Sequence, residues 1–264
     1  MLVLGAGSIG TLFACDAARR LGSVSLLVRS RQGFSAVRVE GEKPSGQINL
    51  LQAHELRDRE FKVAVFACKQ HDLSGLSQLL AEQNCRAEVG VSLCNGLGAL
   101  ERIRPEPFEE LVPAVTYAAA KLLERGVVRR TALDGAATVM PQPRSQEVAA
   151  LLQLAIPHLH FAAGKEDMDR AIWKKLLANV VINPLTALFT IRNGLVPTVC
   201  REFIPQLVDE FNLVCPVPDL HLPGTRIEFV QSVCALTGAN TSSMLADVTH
   251  HRRTEIDALN GAAE

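Results

Sequence analysis

One tryptophan and one tyrosine stand among 264 residues, and the charges nearly cancel, with 27 Lys and Arg against 28 Asp and Glu for a net of −1. A nucleic-acid or anionic-membrane partner needs a basic face, and base stacking needs aromatic side chains, so neither kind of partner is expected. No apolar run reaches the length of a membrane span, and no basic segment precedes an apolar stretch at the start of the chain, so neither a transmembrane helix nor a signal peptide is expected. The seven cysteines are odd in number and include no CxxC and no Cys/His cluster at zinc spacing. That argues against a disulfide framework or a metal site and for reduced thiols in a cytoplasmic protein. Cys15, Cys68, Cys94 and Cys234 lie in apolar stretches and read as small core residues. Internal repeats and low-complexity tracts are also missing.

The chain does have a glycine fingerprint at its very start. Met1-Leu2-Val3-Leu4 runs into Gly5-Ala6-Gly7-Ser8-Ile9-Gly10, and a second apolar strand, Val24 to Val28, follows at the spacing of one βαβ unit. Gly5 allows a tight turn, Gly7 lets backbone approach a pyrophosphate, and Gly10 lets the helix from Thr11 to Leu21 pack close to the sheet with its N-terminus toward the phosphates. The motif alone is weak; between a strand and a helix it reads as a dinucleotide site. An NAD-preferring site usually ends the second strand with an acidic residue. Here Arg29-Ser30-Arg31 stands instead, and a guanidinium suits a 2′-phosphate, so NADPH is expected over NADH.

Leu2–Leu4, Val24–Val28, Val63–Ala67, Val89–Leu93 and Leu111–Val115 are apolar runs of the kind buried in a parallel sheet, with helices Thr11–Leu21 and Leu73–Gln83 between them. A hairpin is expected from Val127 to Met140 around Asp134-Gly135, then a helix from Ser145 to Leu154. From Asp167 onward the pattern is helical, through Met168–Val181, Ile204–Asn212, Arg226–Leu236 and Ser243–Leu259. The 48% hydrophobic composition can fill two cores. The expected fold is α/β, a doubly wound Rossmann-type domain over residues 1–163, followed by an all-α domain over residues 164–264.

Three features place polar groups where packing alone would not. Lys69 and Asn95 each follow a buried strand, at the carboxyl edge where doubly wound sheets bind ligands. The alternatives are a solvated loop lysine and an Asn-Gly turn. On the helix through Trp173, at ~100° per residue, Lys175, Asn179 and Asn183 fall within roughly 80° of one another. A buried amide without a partner costs about 1–3 kcal/mol, so this stripe must face water, another polar element or a ligand. Lys174, ~100° away, reads as a surface residue. Glu255 falls inside the apolar face of the expected helix Ser243–Leu259, either paired with Arg252 or bound to a polar substrate group. His250 and His251 are assigned to solvent, since no partners for a metal site or triad stand near them.

Taken together, these elements resemble the ketopantoate reductase (2-dehydropantoate 2-reductase) family. They are the glycine fingerprint, Lys69, Asn95-Gly96-Leu97-Gly98, Trp173-Lys174-Lys175-Leu176 with Asn179, Asn183-Pro184-Leu185-Thr186-Ala187-Leu188, and Asn240-Thr241-Ser242-Ser243-Met244-Leu245-Ala246-Asp247 with Thr254-Glu255-Ile256-Asp257. The resemblance implies NADPH-dependent reduction of ketopantoate to pantoate, a step toward pantothenate and coenzyme A, in a cleft between the two domains. It implies Lys175 as the catalytic proton donor and Asn95 on both carbonyl and nicotinamide. Lys69 falls at a cofactor- or substrate-contacting position, and Asn179, Asn183, Asn240, Ser243 and Glu255 at substrate-side positions. The expected partner is a small 2-oxo acid, with a homodimer as the expected assembly.

The sequence departs from the family pattern at Gln70-His71-Asp72, which leaves that loop's contacts open. It also ends at Asn260-Gly261-Ala262-Ala263-Glu264, where family members usually continue, so the last motif helix is expected to lack a packing partner. The rival readings are a reductase of another 2-oxo acid and a dinucleotide-binding sensor without turnover.

Overall fold

Leu2, Val3 and Leu4 are all buried, as a strand covered on both faces requires. The structure, a computed structural model, describes residues 1–43, 45–131 and 137–263. The chain divides into two compact units, Met1–Cys94 with Ala99–Ala163, and Asn95–Gly98 with Gly164–Glu264.

In the first unit, β1 (Leu2–Leu4) leads into α1 (Ser8–Leu21) and then β2 (Ser23–Leu27), a short β3 (Arg38–Val39), β4 (Gln47–Leu51) and β5 (Glu60–Phe66). Next come α2 (Leu73–Glu82), β6 (Arg86–Ser92), β7 (Phe108–Pro113), β8 (Val115–Thr116), β9 (Ala120–Glu124), β10 (Val127–Arg130), β11 (Thr138–Pro141), α3 (Gln146–Ala155) and β12 (Leu159–Ala162). The main sheet has six strands in the order β4-β2-β1-β5-β6-β7, and each neighbouring pair is parallel. Alternate residues face opposite sides. Val3, Val63 and Val65 join Phe13 of α1 and Val148 and Leu152 of α3 in one core, whereas Leu2, Leu4, Ala64 and Phe66 join Leu73 and Leu80 of α2 in another. Each fully buried Leu or Phe contributes about 1.5–3 kcal/mol relative to exposure.

Two three-stranded sheets complete this unit, β3-β10-β9 and β12-β11-β8. They correct the expected hairpin from Val127 to Met140: β10 and β11 lie in different sheets, and the expected turn residues Asp134 and Gly135 fall outside the described residues. The hairpin that does form joins β9 to β10. Gly126, at φ +85°, makes its turn, and a Cβ there would strike the carbonyl of Ala36. The β3-β10-β9 sheet packs on α1 through Leu12, Cys15, Val39 and Val128. Beside that apolar patch, Arg130 donates to both oxygens of buried Asp16 at 2.7 and 3.2 Å and to Glu42 at 3.2 Å, and Arg19 also pairs with Glu42.

The second unit begins with α4 (Lys165–Phe189), followed by α5 (Val196–Val199), α6 (Phe203–Val214), α7 (Arg226–Leu236), α8 (Ser243–Thr249) and α9 (Ile256–Leu259). Its core gathers Leu176, Leu177, Val180, Val181 and Ile182 of α4 with Ile204, Val208 and Phe211 of α6 and Phe229 and Val230 of α7. Trp173 meets Phe211 edge-on at 5.7 Å between ring centroids. No strand lies after Ala162 among the described residues. The expected continuous helix from Ser243 to Leu259 is broken. α8 stops at Thr249, His251 takes the left-handed conformation at φ +53°, and Arg252 turns back to donate its N–H to the carbonyl of Asp247 at 2.8 Å.

The charge cluster on α1 gives this fold a defined acid response. Burial raises the Glu42 carboxyl, but hydrogen bonds from Arg19 and Arg130 outweigh it and hold the group below its ordinary 4.5. A depressed carboxylate contributes stability above its unfolded pKa and loses it as pH falls through the folded value. Melting temperature is therefore expected to fall as the pH drops below 4.5, and Glu42→Gln should be less stable at pH 7 yet show a shallower acid loss. Parallel acid profiles for the two proteins would remove Glu42 from the account.

Candidate active site

The glycine fingerprint has the backbone its chemistry needs. Gly5 sits at φ +108°, closed to ordinary side chains, and a Cβ there would lie 2.7 Å from the carbonyl oxygen of Ala67. A Cβ on Gly10 would run into the Gly5 carbonyl, so α1 can approach the β1 turn this closely only with glycine at that place. Gly7 differs: a Cβ there meets no protein atom within 4 Å. It is also the N-cap of the 14-residue α1, which has no capping side chain and no acidic residue in its first turn. Its open N-terminal amides fit a phosphate group, and these residues therefore fit a dinucleotide.

Beyond β2, the two arginines have different surroundings. Arg31 places its guanidinium 2.6 Å from both Glu55 oxygens and 2.8 Å from the Leu50 carbonyl, so its fork is occupied by protein. Arg29 is 93% exposed and only grazes Asp72 at 3.3 Å. Lys69 follows β5, half-buried in extended conformation, and caps a 3₁₀ turn at Gln70–Asp72. It engages neighbouring groups of the protein. Cys68 and Cys94, expected in the core, are half-buried at the ends of β5 and β6, and the Cys94 thiol bonds the Cys68 carbonyl at 3.1 Å. Cys15, raised to about 11 chiefly by burial, and Cys234, raised to about 12 for the same reason, are inert core thiols.

The second unit holds the polar stripe. α4 is longer than the pattern predicts and continues through Pro184 to Phe189. Lys175 and Asn179 are half-buried on it and Asn183 is buried, while Leu176, Leu177, Val180 and Val181 enter the core. Lys174 is held elsewhere, its ammonium 5.4 Å over the ring of Phe229. Pro184 has no N–H, so the Val180 carbonyl four residues earlier loses its helical donor. Asn260 replaces that donor, its side-chain amide reaching the Val180 oxygen at 2.9 Å.

The same C-terminal segment holds the Asn95 loop. Gly96 has φ +85°, and a Cβ on it would collide with the carbonyl of Ala258, while Leu97 donates its N–H to that carbonyl at 3.2 Å. Asn95 therefore belongs with the helical unit although it follows β6. The last motif segment does not lack packing partners: Ala258 and Leu259 are buried against these neighbours. Glu255 is the residue before α9, not part of a long apolar face, and it is 6% exposed. The Arg252–Glu255 pairing is also corrected, because the Arg252 guanidinium pairs with Asp247 at 3.3 Å. Glu255, Asn95 and Lys175 all engage neighbouring protein groups.

At the start of α8, buried Ser242 accepts the Leu245 N–H and shares a 2.6 Å hydrogen bond with buried Thr186 of α4. That pair fixes the segment with Asn240 and exposed Ser243 against the helix of the stripe. Asn193 is the polar residue that sequence reasoning passed over. It is 8% exposed, its amide nitrogen bonds Thr237 at 2.9 Å, its N–H bonds the Asn240 carbonyl at 3.2 Å, and its buried amide oxygen has no partner among the described residues. Its only signal in the sequence is an Asn-Gly pair, which reads as a turn.

A fingerprint on one unit and a Lys-Asn-Asn stripe on the other narrow the possibilities, and comparison with known proteins decides the family. The family model described as Ketopantoate reductase PanE/ApbA matches residues 1–144, and that described as Ketopantoate reductase PanE/ApbA C terminal matches residues 167–263. The chain belongs to the ketopantoate reductase family. A curated relative, the 2-dehydropantoate 2-reductase of Bacillus subtilis, is 30% identical over 271 residues, 98% of this chain and 87% of the relative. Among solved structures, a PanE/ApbA family ketopantoate reductase from Ralstonia eutropha superposes at a TM-score of 0.82 with 21% identity, over 100% of this chain and 90% of that one. D-mandelate dehydrogenase, solved with NADH and anilino(oxo)acetate, superposes at 0.80 with 18% identity over the same shares. At those identities the likeness is one of fold.

The role of Asn260 is testable apart from any activity. Asn260→Ala leaves a buried carbonyl on a helix interrupted by proline, and the expected loss is about 1–3 kcal/mol in urea-induced unfolding. An unchanged midpoint would mean that water serves the Val180 carbonyl as well.

Proposed function

We propose that this protein reduces 2-dehydropantoate (ketopantoate) to pantoate with NADPH, in the synthesis of pantothenate and coenzyme A. The observation that carries the reading is the stripe of Lys175, Asn179 and Asn183 on α4, where Leu176, Leu177, Val180 and Val181 beside it enter the core, in a chain of this family.

The dinucleotide would be held by Gly5, Ala6, Gly7, Ser8, Ile9 and Gly10, with Lys69 and Asn95 contributing side chains and Arg29 receiving the 2′-phosphate. When bound, its reduced nicotinamide supplies the hydride. Hydride addition at C2 of a 2-oxo acid turns the carbonyl oxygen into an alkoxide. The Lys175 ammonium donates its proton to that oxygen, stabilising charge that develops only in the transition state. Asn95 orients the carbonyl, Asn179, Asn183, Asn240 and Ser243 bind the substrate's polar groups, and Glu255 accepts a hydrogen bond from its hydroxyl. A site built for that hydroxyl discriminates against analogues lacking it.

The deciding experiment follows cofactor oxidation against a panel of 2-oxo acids, including ketopantoate and an aromatic 2-oxo acid, with NADPH and NADH. Ketopantoate with NADPH should have the highest kcat/KM; preference for another acid replaces the substrate, and no turnover with any acid leaves the sensor reading. Lys175→Ala should lower kcat by roughly 10²–10⁴ with little change in cofactor affinity, whereas Lys174→Ala should not. Equal losses in the two variants would show that the wrong lysine has been assigned.

The cofactor assignment rests on Arg29, the exposed arginine of the two. Arg29→Asp should weaken NADPH binding by about 1.5–3 kcal/mol and NADH binding far less. A titration that leaves the NADPH-to-NADH affinity ratio unchanged removes Arg29 from the site.

A further inference from the structure

Two of the seven cysteines stand side by side. The pairing of β5 with β6 runs to Phe66 opposite Ser92, and the same register carried two residues on sets Cys68 opposite Cys94. The chain keeps that alignment past the strand ends, with the Leu93 N–H donating to the Phe66 carbonyl at 3.0 Å and the Cys94 thiol to the Cys68 carbonyl at 3.1 Å. Alternation along the strands points both side chains the same way. Cys68 and Cys94 accordingly pack against one cluster, the one that holds Phe66 of β5 and Leu73 of α2. Both are half-buried, whereas Cys15, Cys85, Cys200 and Cys234 are buried. Neighbouring strands lie about 4.8 Å apart, inside the roughly 4.4–6.8 Å between Cα atoms that a disulfide spans.

We propose that Cys68 and Cys94 are a redox pair that closes to a disulfide and thereby weakens dinucleotide binding. The effect on the dinucleotide rests on the reductase reading; the pairing itself does not. The oxidant is a low-molecular-weight disulfide such as glutathione disulfide. The thiolate of one cysteine attacks it and releases one glutathione thiol, and the second cysteine then attacks the mixed disulfide and releases the other. One S–S bond breaks and one forms, the two cysteine protons end on the two released thiols, and the two electrons reduce the glutathione disulfide. Cys68 stands one residue before Lys69, and its backbone lies behind the fingerprint turn, where a Cβ on Gly5 would come within 3.3 Å of the Cys68 Cα. Oxidation removes the proton with which the Cys94 thiol holds the Cys68 carbonyl, and the new bond sets the separation of the two chains. The segment that carries Lys69 is thereby re-aimed.

Peptide mass mapping of the full chain tests the pair. The reduced protein is incubated with glutathione disulfide, quenched with N-ethylmaleimide and digested with trypsin, which leaves Cys68 in residues 63–69 and Cys94 in residues 87–102. The two peptides should appear joined, and dithiothreitol should separate them. Cys68→Ser should leave Cys94 holding glutathione as a mixed disulfide, because the thiol that displaces it is gone, and Cys94→Ser should do the same at Cys68. Fluorescence titration should show NADPH binding about tenfold weaker in the oxidised wild type, the size of one lost hydrogen bond to a charged group, with recovery on reduction. Cys215→Ser, at a half-buried cysteine of the other unit, should keep both the bond and the loss. Wild-type peptides that stay reduced, or that each carry glutathione, overturn the pair, and joined peptides with unchanged NADPH affinity overturn the switch. A failed reductase reading looks different: the reduced protein turns over no 2-oxo acid, while the joined peptides still form and uphold the pair.

Discussion

A proline in the interior of α4 leaves one carbonyl without a donor, and the arrangement of the helical unit follows from how that carbonyl is served. The helix cannot supply an N–H to Val180, and water is excluded from a residue that is 4% exposed. The donor comes from Asn260, eighty residues away, so the end of the described chain must return to the middle of α4. Once there, its Ala258 carbonyl receives the Leu97 N–H, and Gly96 lets the two backbones come within a distance that no side chain would permit. Asn95, the Lys175 helix and the Glu255 turn are thereby tied to one short segment. Three candidate groups from distant parts of the sequence share a single anchor.

The two units build their candidate sites by different means. In the first, the glycine fingerprint is shaped by backbone: a positive φ at Gly5, a close approach at Gly10 and the open amides beyond Gly7. The parallel strands behind that turn hold it rigid. In the second, the candidate groups are side chains on helices and turns, and buried polar contacts such as the hydroxyl pair of Thr186 and Ser242 tie those elements together. Backbone sites tolerate sequence change around them as long as the glycines stay. Side-chain sites depend on every support, because an unpaired buried partner costs about 1–3 kcal/mol.

That difference also explains what could be read from the sequence. The fingerprint, the parallel strands and helices such as α7 follow from glycine spacing and apolar period, which are local. β4 escaped because Gln47-Ile48-Asn49-Leu50-Leu51 lies at the sheet edge, where polar residues face water and the buried-strand pattern fades. The break after α8 was invisible for another reason. No glycine or proline marks it; His251 takes a positive φ because the carbonyl of Asp247 and the guanidinium of Arg252 hold the turn. The expected hairpin was misplaced because Asp134-Gly135 has the stronger turn signature in the sequence, while the antiparallel pair that forms, β9 with β10, is joined at Arg125-Gly126. Lys175, Asn179 and Asn183 were legible because polar residues stand out at helical spacing, whereas Asn193 had no periodic background to stand out from.

Asn193 and Asn260 share a feature that packing does not require. Each uses its amide nitrogen to hold structure, on Thr237 and on Val180, and each thereby fixes its oxygen in a buried place without a partner among the described residues. The donor contact settles which way each amide points, so the unpaired oxygen is not an ambiguity of orientation. A lysine ammonium, which has donors and no acceptor, could have supplied either donor without stranding an acceptor. For Asn193 the stranded acceptor lies on a residue whose backbone bonds Asn240, a substrate-side position in the proposed reading.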